Sequence, residues 1–171
     1  ALIGTWYVEA GRYGVMPVDG SGLPRMVAEK PQAAAPRDRY TFIPGTQSMP
    51  FFAGPRVLNR PHSITATVEI PEGGAEGVLI SQGTAAGGYS LFCKGGKLHY
   101  VHNYVGREIY GVATEDQVPS GEHELRFEFE PTGKPNPAEG LGVPARGQLY
   151  INRKLVGSVD MPHSILFMFG T

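Results

Sequence analysis

Ser63-Ile-Thr-Ala-Thr-Val-Glu-Ile70 alternates without a break: Ile64, Ala66, Val68 and Ile70 fall on one side, Thr65, Thr67 and Glu69 on the other. A period of two is the mark of a strand with one face in a core and one in water. Outward from it, as far as Glu130, lie Gly77-Val-Leu-Ile-Ser81, Tyr89-Ser-Leu-Phe-Cys93, Lys97-Leu-His-Tyr-Val-His-Asn-Tyr104, Arg107-Glu-Ile-Tyr-Gly-Val-Ala113 and His123-Glu-Leu-Arg-Phe-Glu-Phe-Glu130. These runs are short, rich in β-branched and aromatic residues, and parted by Gly, Pro, Ser or Asp. That spacing predicts an antiparallel sandwich or barrel. The clearest strand is Glu122 to Glu130, with His123, Leu125, Phe127 and Phe129 facing one way and Glu122, Glu124, Arg126, Glu128 and Glu130 the other. Lys94-Gly95-Gly96-Lys97 supplies the two positive φ angles of a two-residue hairpin turn. A second hairpin, Gln148 to Val159, turns near Asn152-Arg153, and its Leu-Tyr-Ile-Asn-x-x-Leu-Val-Gly run looks like a strand pair of concanavalin-like and laminin-G-like jelly rolls.

The flanks divide the chain. Leu2, Trp6, Ala10 and Tyr13 fall on one helical face with Ile3 and Tyr7 beside it, so residues 1–19 are expected to carry a short N-terminal amphipathic helix. A helix so short is marginal alone, and its Trp-bearing face should dock on something. Residues 20–39 are rich in Pro, Gly, Ala and charge and read as an extended linker. Residues 40–171 are the expected β-sandwich domain, opened by the strand Tyr40-Thr-Phe-Ile43, with Phe51, Phe52, Val57 and Leu58 covering the sheet from a loop. Ala1 in place of Met, and Thr171 directly after the apolar run Ile165 to Phe169, suggest a piece of a longer chain.

The 171 residues suffice for one well-buried core. Fifteen Lys and Arg stand against sixteen Asp and Glu, scattered rather than striped, so neither nucleic acid nor an anionic membrane is expected as a partner. No apolar run reaches membrane-spanning length. Cys93 is the only cysteine, which excludes an internal disulfide framework and fits a cytoplasmic setting. It shares a strand face with Tyr89 and Leu91 and reads as a buried, inert thiol.

Candidate chemistry is thin. The Glu-rich face of Glu122 to Glu130 invites comparison with jelly-roll glycosidases, because side chains two apart on a strand are separated by about 6.5–7 Å, near the inverting spacing. The Glu-x-Asp-x-Glu motif of retaining jelly-roll enzymes is not matched, since Arg126 and Glu128 hold the later positions. A solvated outer face laced by Arg126 accounts for the pattern. His99 and His102, three apart on one strand, point to opposite faces and cannot share a metal. His62, His123 and His163 are isolated, and His123 reads as a hydrogen-bonded core histidine. Gly83-Thr-Ala-Ala-Gly-Gly88 lacks the Lys-Ser/Thr of a phosphate loop and reads as a plain turn. Tyr100, Asn103, Tyr104 and Arg107 gather aromatic and amide groups around one hairpin, a candidate lectin-like surface. No catalytic, cofactor-binding or metal-binding residue is assigned.

Two stretches together resemble a known family. Trp6-Tyr-Val-Glu-Ala10 followed by Val15-Met-Pro-Val-Asp19 is similar to the segment that closes the catalytic domain of the long bacterial arylsulfatases. Ile70-Pro-Glu-Gly-Gly-Ala-Glu-Gly-Val-Leu-Ile-Ser-Gln-Gly83, Gly87-Gly-Tyr-Ser-Leu91, Gly96-Lys-Leu-His-Tyr-Val-His-Asn-Tyr-Val-Gly106 and Pro119-Ser-Gly-Glu-His-Glu-Leu-Arg-Phe-Glu-Phe129 resemble the β-sandwich those enzymes append. The resemblance implies a non-catalytic C-terminal domain. The enzyme's own chemistry, formylglycine made from the Cys or Ser of a Cys/Ser-x-Pro-x-Arg motif beside a calcium ion, would lie in a catalytic domain outside this chain. Cys93 is followed by Lys94-Gly95-Gly96, without the Pro and Arg the motif requires. The implied partner is the catalytic domain of the same polypeptide, docked through Trp6, Tyr7 and Glu9. Self-association through an open sheet edge or the Trp6 patch is a further expectation.

Overall fold

Alternation decides the architecture. The computed structural model describes residues 38–46, 48–49 and 54–167, together with the backbone of residues 3–10. Ten strands account for most of them: β1 (Ile3–Ala10), β2 (Arg39–Phe42), β3 (His62–Ile70), β4 (Gly77–Thr84), β5 (Gly87–Lys94), β6 (Lys97–Tyr104), β7 (Glu108–Ala113), β8 (Gly121–Pro131), β9 (Ala145–Ile151) and β10 (Lys154–Met161). They form two antiparallel sheets, one in the order β10-β9-β8-β3-β1-β2 and one in the order β4-β5-β6-β7. The fold is therefore the all-β sandwich the sequence predicts. The four-stranded sheet is a meander inserted between β3 and β8, which are themselves neighbours in the six-stranded sheet. A single 3-10 turn, Pro137–Glu139, interrupts the loop between β8 and β9. No helix among the described residues is long and apolar enough to cross a membrane.

The core lies between the two inner faces. Ile64, Ala66 and Val68 of β3, Leu125, Phe127 and Phe129 of β8, and Leu149 of β9 meet Leu91 and Cys93 of β5 and Leu98 and Tyr100 of β6. The Tyr100 and Phe127 rings stack across the interface, centroids 3.5 Å apart and planes inclined by 12°. Each such side chain, fully buried, contributes about 1.5–3 kcal/mol. The sheets close most tightly beside β7 and β10, where a Cβ on Gly157 would lie 2.9 Å from Val112 Cγ2.

Local chemistry sets the turns. Gly95 and Gly96, at φ 60° and 74°, form the two-residue β5–β6 connection. Asn152 and Arg153, at φ 49° and 68°, do the same for β9–β10. Arg153 accepts the left-handed strain because Asn152 is anchored to β8: its N–H donates to the Glu124 carbonyl at 2.8 Å and its Oδ1 accepts from the Glu124 N–H at 2.9 Å.

One expectation is overturned. The stretch expected to form an N-terminal amphipathic helix is strand β1, paired with β3 from Ile3↔Glu69 to Ala10↔His62 and with β2 from Trp6↔Phe42 to Glu9↔Arg39. Thr5, Trp6, Tyr7 and Val8 are strand formers, and Gly4 penalises a helix. An eight-residue helix would also leave most terminal backbone groups unpaired, whereas this strand has a ladder on each side. Residues 11–37, which include most of the expected linker, lie outside the described residues, as do Phe51 and Phe52. Val57 is buried in the core and Leu58 packs on it, as the covering-loop reading anticipated.

Candidate functional site

A group of polar side chains lies inside the sandwich. His62 opens β3 and His102 sits on β6, and alternation turns both rings inward. The His62 ring stacks on Phe129 with centroids 4.9 Å apart and planes 16° apart. Its Nδ1 lies 3.0 Å from the Arg60 carbonyl, so Nδ1–H donates there and Nε2 carries the lone pair. His102 Nδ1 lies 3.5 Å from the Tyr100 hydroxyl. Both rings line a cavity of about 10 Å³, together with Tyr89, Tyr100, Asn59 and Ser164. A space of that size admits one water. Among the described residues neither His62 Nε2 nor Ser164 Oγ has a hydrogen-bond partner, and both are buried, so both suit a water at that place.

Burial governs the electrostatics of this group. Desolvation lowers the pKa of His62 to about 4, with the Arg60 carbonyl bond opposing it. His102 is also lowered to about 4, by desolvation first and then by the proximity of His62 and His163. Burial raises Tyr89, and burial with Tyr89 beside it raises Tyr100, so neither phenol ionises near neutrality. At neutral pH the group is an uncharged box. Ring contacts of this group span the two sheets, His62 with Tyr89 and Tyr100 with Phe127.

The residues singled out from the sequence are dispersed. Tyr100 and Tyr104 are both buried, which corrects their assignment to a ligand surface. Being four apart on a strand they share a face, and that face is the inner one: Tyr104 packs edge-on against His163, centroids 4.3 Å apart. Asn103 faces outward and joins two turns, its Oδ1 accepting from the Gly106 N–H of the β6–β7 turn at 2.8 Å and its Nδ2 donating to the Ala85 carbonyl of the β4–β5 turn at 3.0 Å. Arg107 is exposed at the same turn. Trp6, Tyr7 and Glu9 lie on β1, opposite Ala66, Thr65 and Ser63 of β3 respectively. Their side chains lie outside the described residues.

The remaining groups take structural roles. On the outer face of β8, Arg126 pairs with Glu128 at 2.9 Å and lies 4.5 Å above the Tyr150 ring, as the laced-face reading anticipated. His99 and His102 face opposite ways, His99 half-buried and His102 buried. His123 is half-buried and fully engaged: its Nδ1 accepts from Asn152 Nδ2 at 2.8 Å, and its Nε2–H donates to the Ser120 carbonyl at 3.2 Å. Cys93 is buried, and desolvation together with Glu76 pushes its thiol up to about 11. No three His, Cys, Asp or Glu among the described residues gather to hold a metal.

Sequence reasoning missed two groupings. The His62–His102 pair joins positions forty residues apart on different sheets, and only the inward side of each strand could have hinted at it. A second cluster joins Glu108 and Tyr110 of β7 to His163: the Tyr110 hydroxyl donates to Glu108 Oε2 at 2.5 Å and accepts from His163 Nε2 at 3.0 Å. It ties the segment after β10 to the edge of the four-stranded sheet, and no local pattern announces it. No family model, curated protein or solved structure matches the chain.

Proposed function

We propose that this chain is the non-catalytic C-terminal β-sandwich of a bacterial arylsulfatase, an accessory domain beside a catalytic domain that hydrolyses sulfate esters. The observation that carries the reading is the place of β1. Trp6-Tyr-Val-Glu-Ala10, the segment that resembles the close of the catalytic domain, is paired on one side with β3 and on the other with β2. A domain leading into Ile3 would thus be joined to the sandwich through a strand of its own sheet, which suits a rigid buttress better than a tethered appendage. The catalytic domain of the same polypeptide is the partner in this reading, with formylglycine and calcium belonging to it. A cytoplasmic setting suits a chain whose single cysteine needs no oxidising compartment.

The reading frame tests this directly. A Cys/Ser-x-Pro-x-Arg motif is expected upstream of Ala1 in the same frame, and an initiator Met immediately before Ala1 would overturn the proposal. The isolated chain should not turn over 4-nitrocatechol sulfate with or without calcium. Activity that copurifies with it would end the accessory reading.

A lectin-like module is the second reading. The tyrosines that suggested it are buried, but the opposite face of the same hairpin supplies a different set of groups.

A further inference from the structure

The outer faces of the two sheets differ in kind. On the six-stranded sheet, Arg126 pairs with Glu128 and Arg146 with Asp160 at 2.8 Å, and register sets the like-charged Glu69 and Glu122 opposite each other, so that face leans acidic. On the four-stranded sheet, register brings Lys94 of β5 directly opposite Lys97 of β6, with Phe92 opposite His99 in the next outward row. The Phe92 and His99 rings are parallel within 7°, centroids 5.0 Å apart, and both are half-exposed. His99 Nε2 lies 3.1 Å from the Lys94 carbonyl, which holds the imidazole over β5. Beyond this platform the outward rows are low: Ser81, Ser90, Val101 and Gly111, then Gly83, Gly88, Asn103 and Ile109. The face is thus a shallow floor in which Ser81 and Ser90 supply hydroxyls and Gly83, Gly88 and Gly111 bare backbone, bordered by the exposed Val78 and Ile109, with a flat ring pair at one end and two ammonium groups beyond it.

Two like charges facing each other across a hairpin disfavour the fold. Among the described residues neither lysine forms an ion pair, and the neighbouring acid, Glu76, is engaged by the Gly95 N–H at 2.5 Å. The pair therefore suits an external anion. A flat, half-exposed ring pair suits the apolar face of a pyranose, and the Ser81 and Ser90 hydroxyls in the adjoining row suit its polar edge. An anionic saccharide meets all three conditions at once.

We infer that the outer face of β4–β7 binds a sulfated saccharide, with a sugar ring on Phe92 and His99 and a sulfate group between Lys94 and Lys97. The choice of sulfate as the anion rests on the arylsulfatase reading, whereas the platform and the two cations stand without it.

Calorimetry on the full chain tests this with three probes: a sulfated carrageenan tetrasaccharide, the same sugar chemically desulfated, and a tetragalacturonate. The sulfated sugar should bind saturably, at least tenfold tighter than its desulfated form and tighter than the uronate. Lys94→Ala/Lys97→Ala should remove that margin, and binding should weaken several-fold between about 20 and about 300 mM salt. Both lysines border solvent at a turn, so unchanged thermal unfolding of the variant will show that it is folded. Amide shifts on titration should centre on Phe92, His99 and Ser90 and spare Glu122 to Glu130. No binding by the sulfated sugar, equal binding of its desulfated form, or binding unaffected by the lysine changes would overturn the site. Equal or tighter binding of the uronate would overturn sulfate as its anion. None of these outcomes bears on the reading frame upstream, so the two proposals fail separately.

Discussion

Acid should loosen this fold well before its carboxylates titrate, because two imidazoles are kept neutral inside it. An unfolded-state histidine has a pKa near 6.5, whereas His62 and His102 in the folded chain lie near 4. Folded values below the unfolded ones mean that the unfolded chain binds more protons. Stability is then complete above pH 6.5 and falls as the pH drops towards 4. At about pH 5 an unfolded imidazole is mostly charged and a buried one mostly neutral, a difference of roughly 1.5 pH units and so about 2 kcal/mol per ring. The two rings together amount to about 4 kcal/mol, a large share of the 5–15 kcal/mol that holds a typical domain. The rings that face His62 are Tyr89, Phe127 and Phe129, and its Nδ1 meets the Arg60 carbonyl. His102 faces Phe129 and Tyr100, with His163 opposing its charge.

Urea unfolding provides the assay. With a slope near 2 kcal/mol per molar, the midpoint should fall by about 2 M between about pH 7.5 and about pH 5. His62→Phe fits a place already walled by aromatic rings and removes one titrating group, so its midpoint should fall by only about half as much. A midpoint that does not move over this range, or an undiminished fall in His62→Phe, would refute the buried-pair reasoning.

Three further outcomes are expected. Asn59 clamps the segment after β10, its Nδ2 donating to the Leu166 carbonyl at 2.6 Å and the Ile165 carbonyl at 3.3 Å while its Oδ1 accepts from the Val143 N–H at 2.8 Å. Asn59→Asp puts a carboxylate oxygen against those two carbonyls, so a loss of about 2 kcal/mol in urea unfolding is expected, with faster amide exchange at 164–167; native stability would count against the clamp. Gly88, at φ 147°, has no room for a Cβ beside the Gln82 carbonyl oxygen, so Gly88→Ala should cost about 3 kcal/mol by thermal unfolding, and an unchanged melting temperature would contradict the β4–β5 register. The Cys93 thiol, buried and held near pKa 11, should react with Ellman's reagent at about pH 8 only as fast as the protein unfolds; rapid stoichiometric labelling of the native chain would show the site to be open.

Much of the sandwich was legible because its signals are local. The β3 alternation, the Gly95-Gly96 turn and the Asn152-Arg153 turn each follow from a handful of neighbouring residues. The errors arose where a distant partner decides. Leu2, Trp6, Ala10 and Tyr13 fit a helical stripe, yet Trp6 and Val8 equally fit a strand, and only the ladders offered by β3 and β2 choose between them. On β6, Leu98, Tyr100, His102 and Tyr104 alternate with Lys97, His99, Val101 and Asn103. Each set mixes polar and apolar groups, so the period separates the sets without saying which is inside. Aromatic rings suit a sugar on an outer face, but the large apolar area of Tyr100 and Tyr104 is worth more between the sheets. Placing them there leaves His99 on the surface beside Phe92.

That exchange of faces links the interior to the exterior. On a strand, a residue chosen for the core fixes the side on which each of its neighbours must stand. Tyr100, stacked on Phe127, sets the outward direction of His99 and Val101, and Cys93 sets that of Phe92 and Lys94. The outer platform therefore inherits its rigidity from the packed layer beneath it, with no reliance on mobile loops. The same coupling places β1: its register against β3 follows from β3's own pairing with β8, where Ala66 lies opposite Leu125 and Ile64 opposite Phe127. Residues 3–10 thus belong to the sandwich by hydrogen bonding, whatever they resemble by sequence. A domain boundary drawn after them would strip one side of β3, nine residues long and strictly alternating, and leave it open to pairing with another chain.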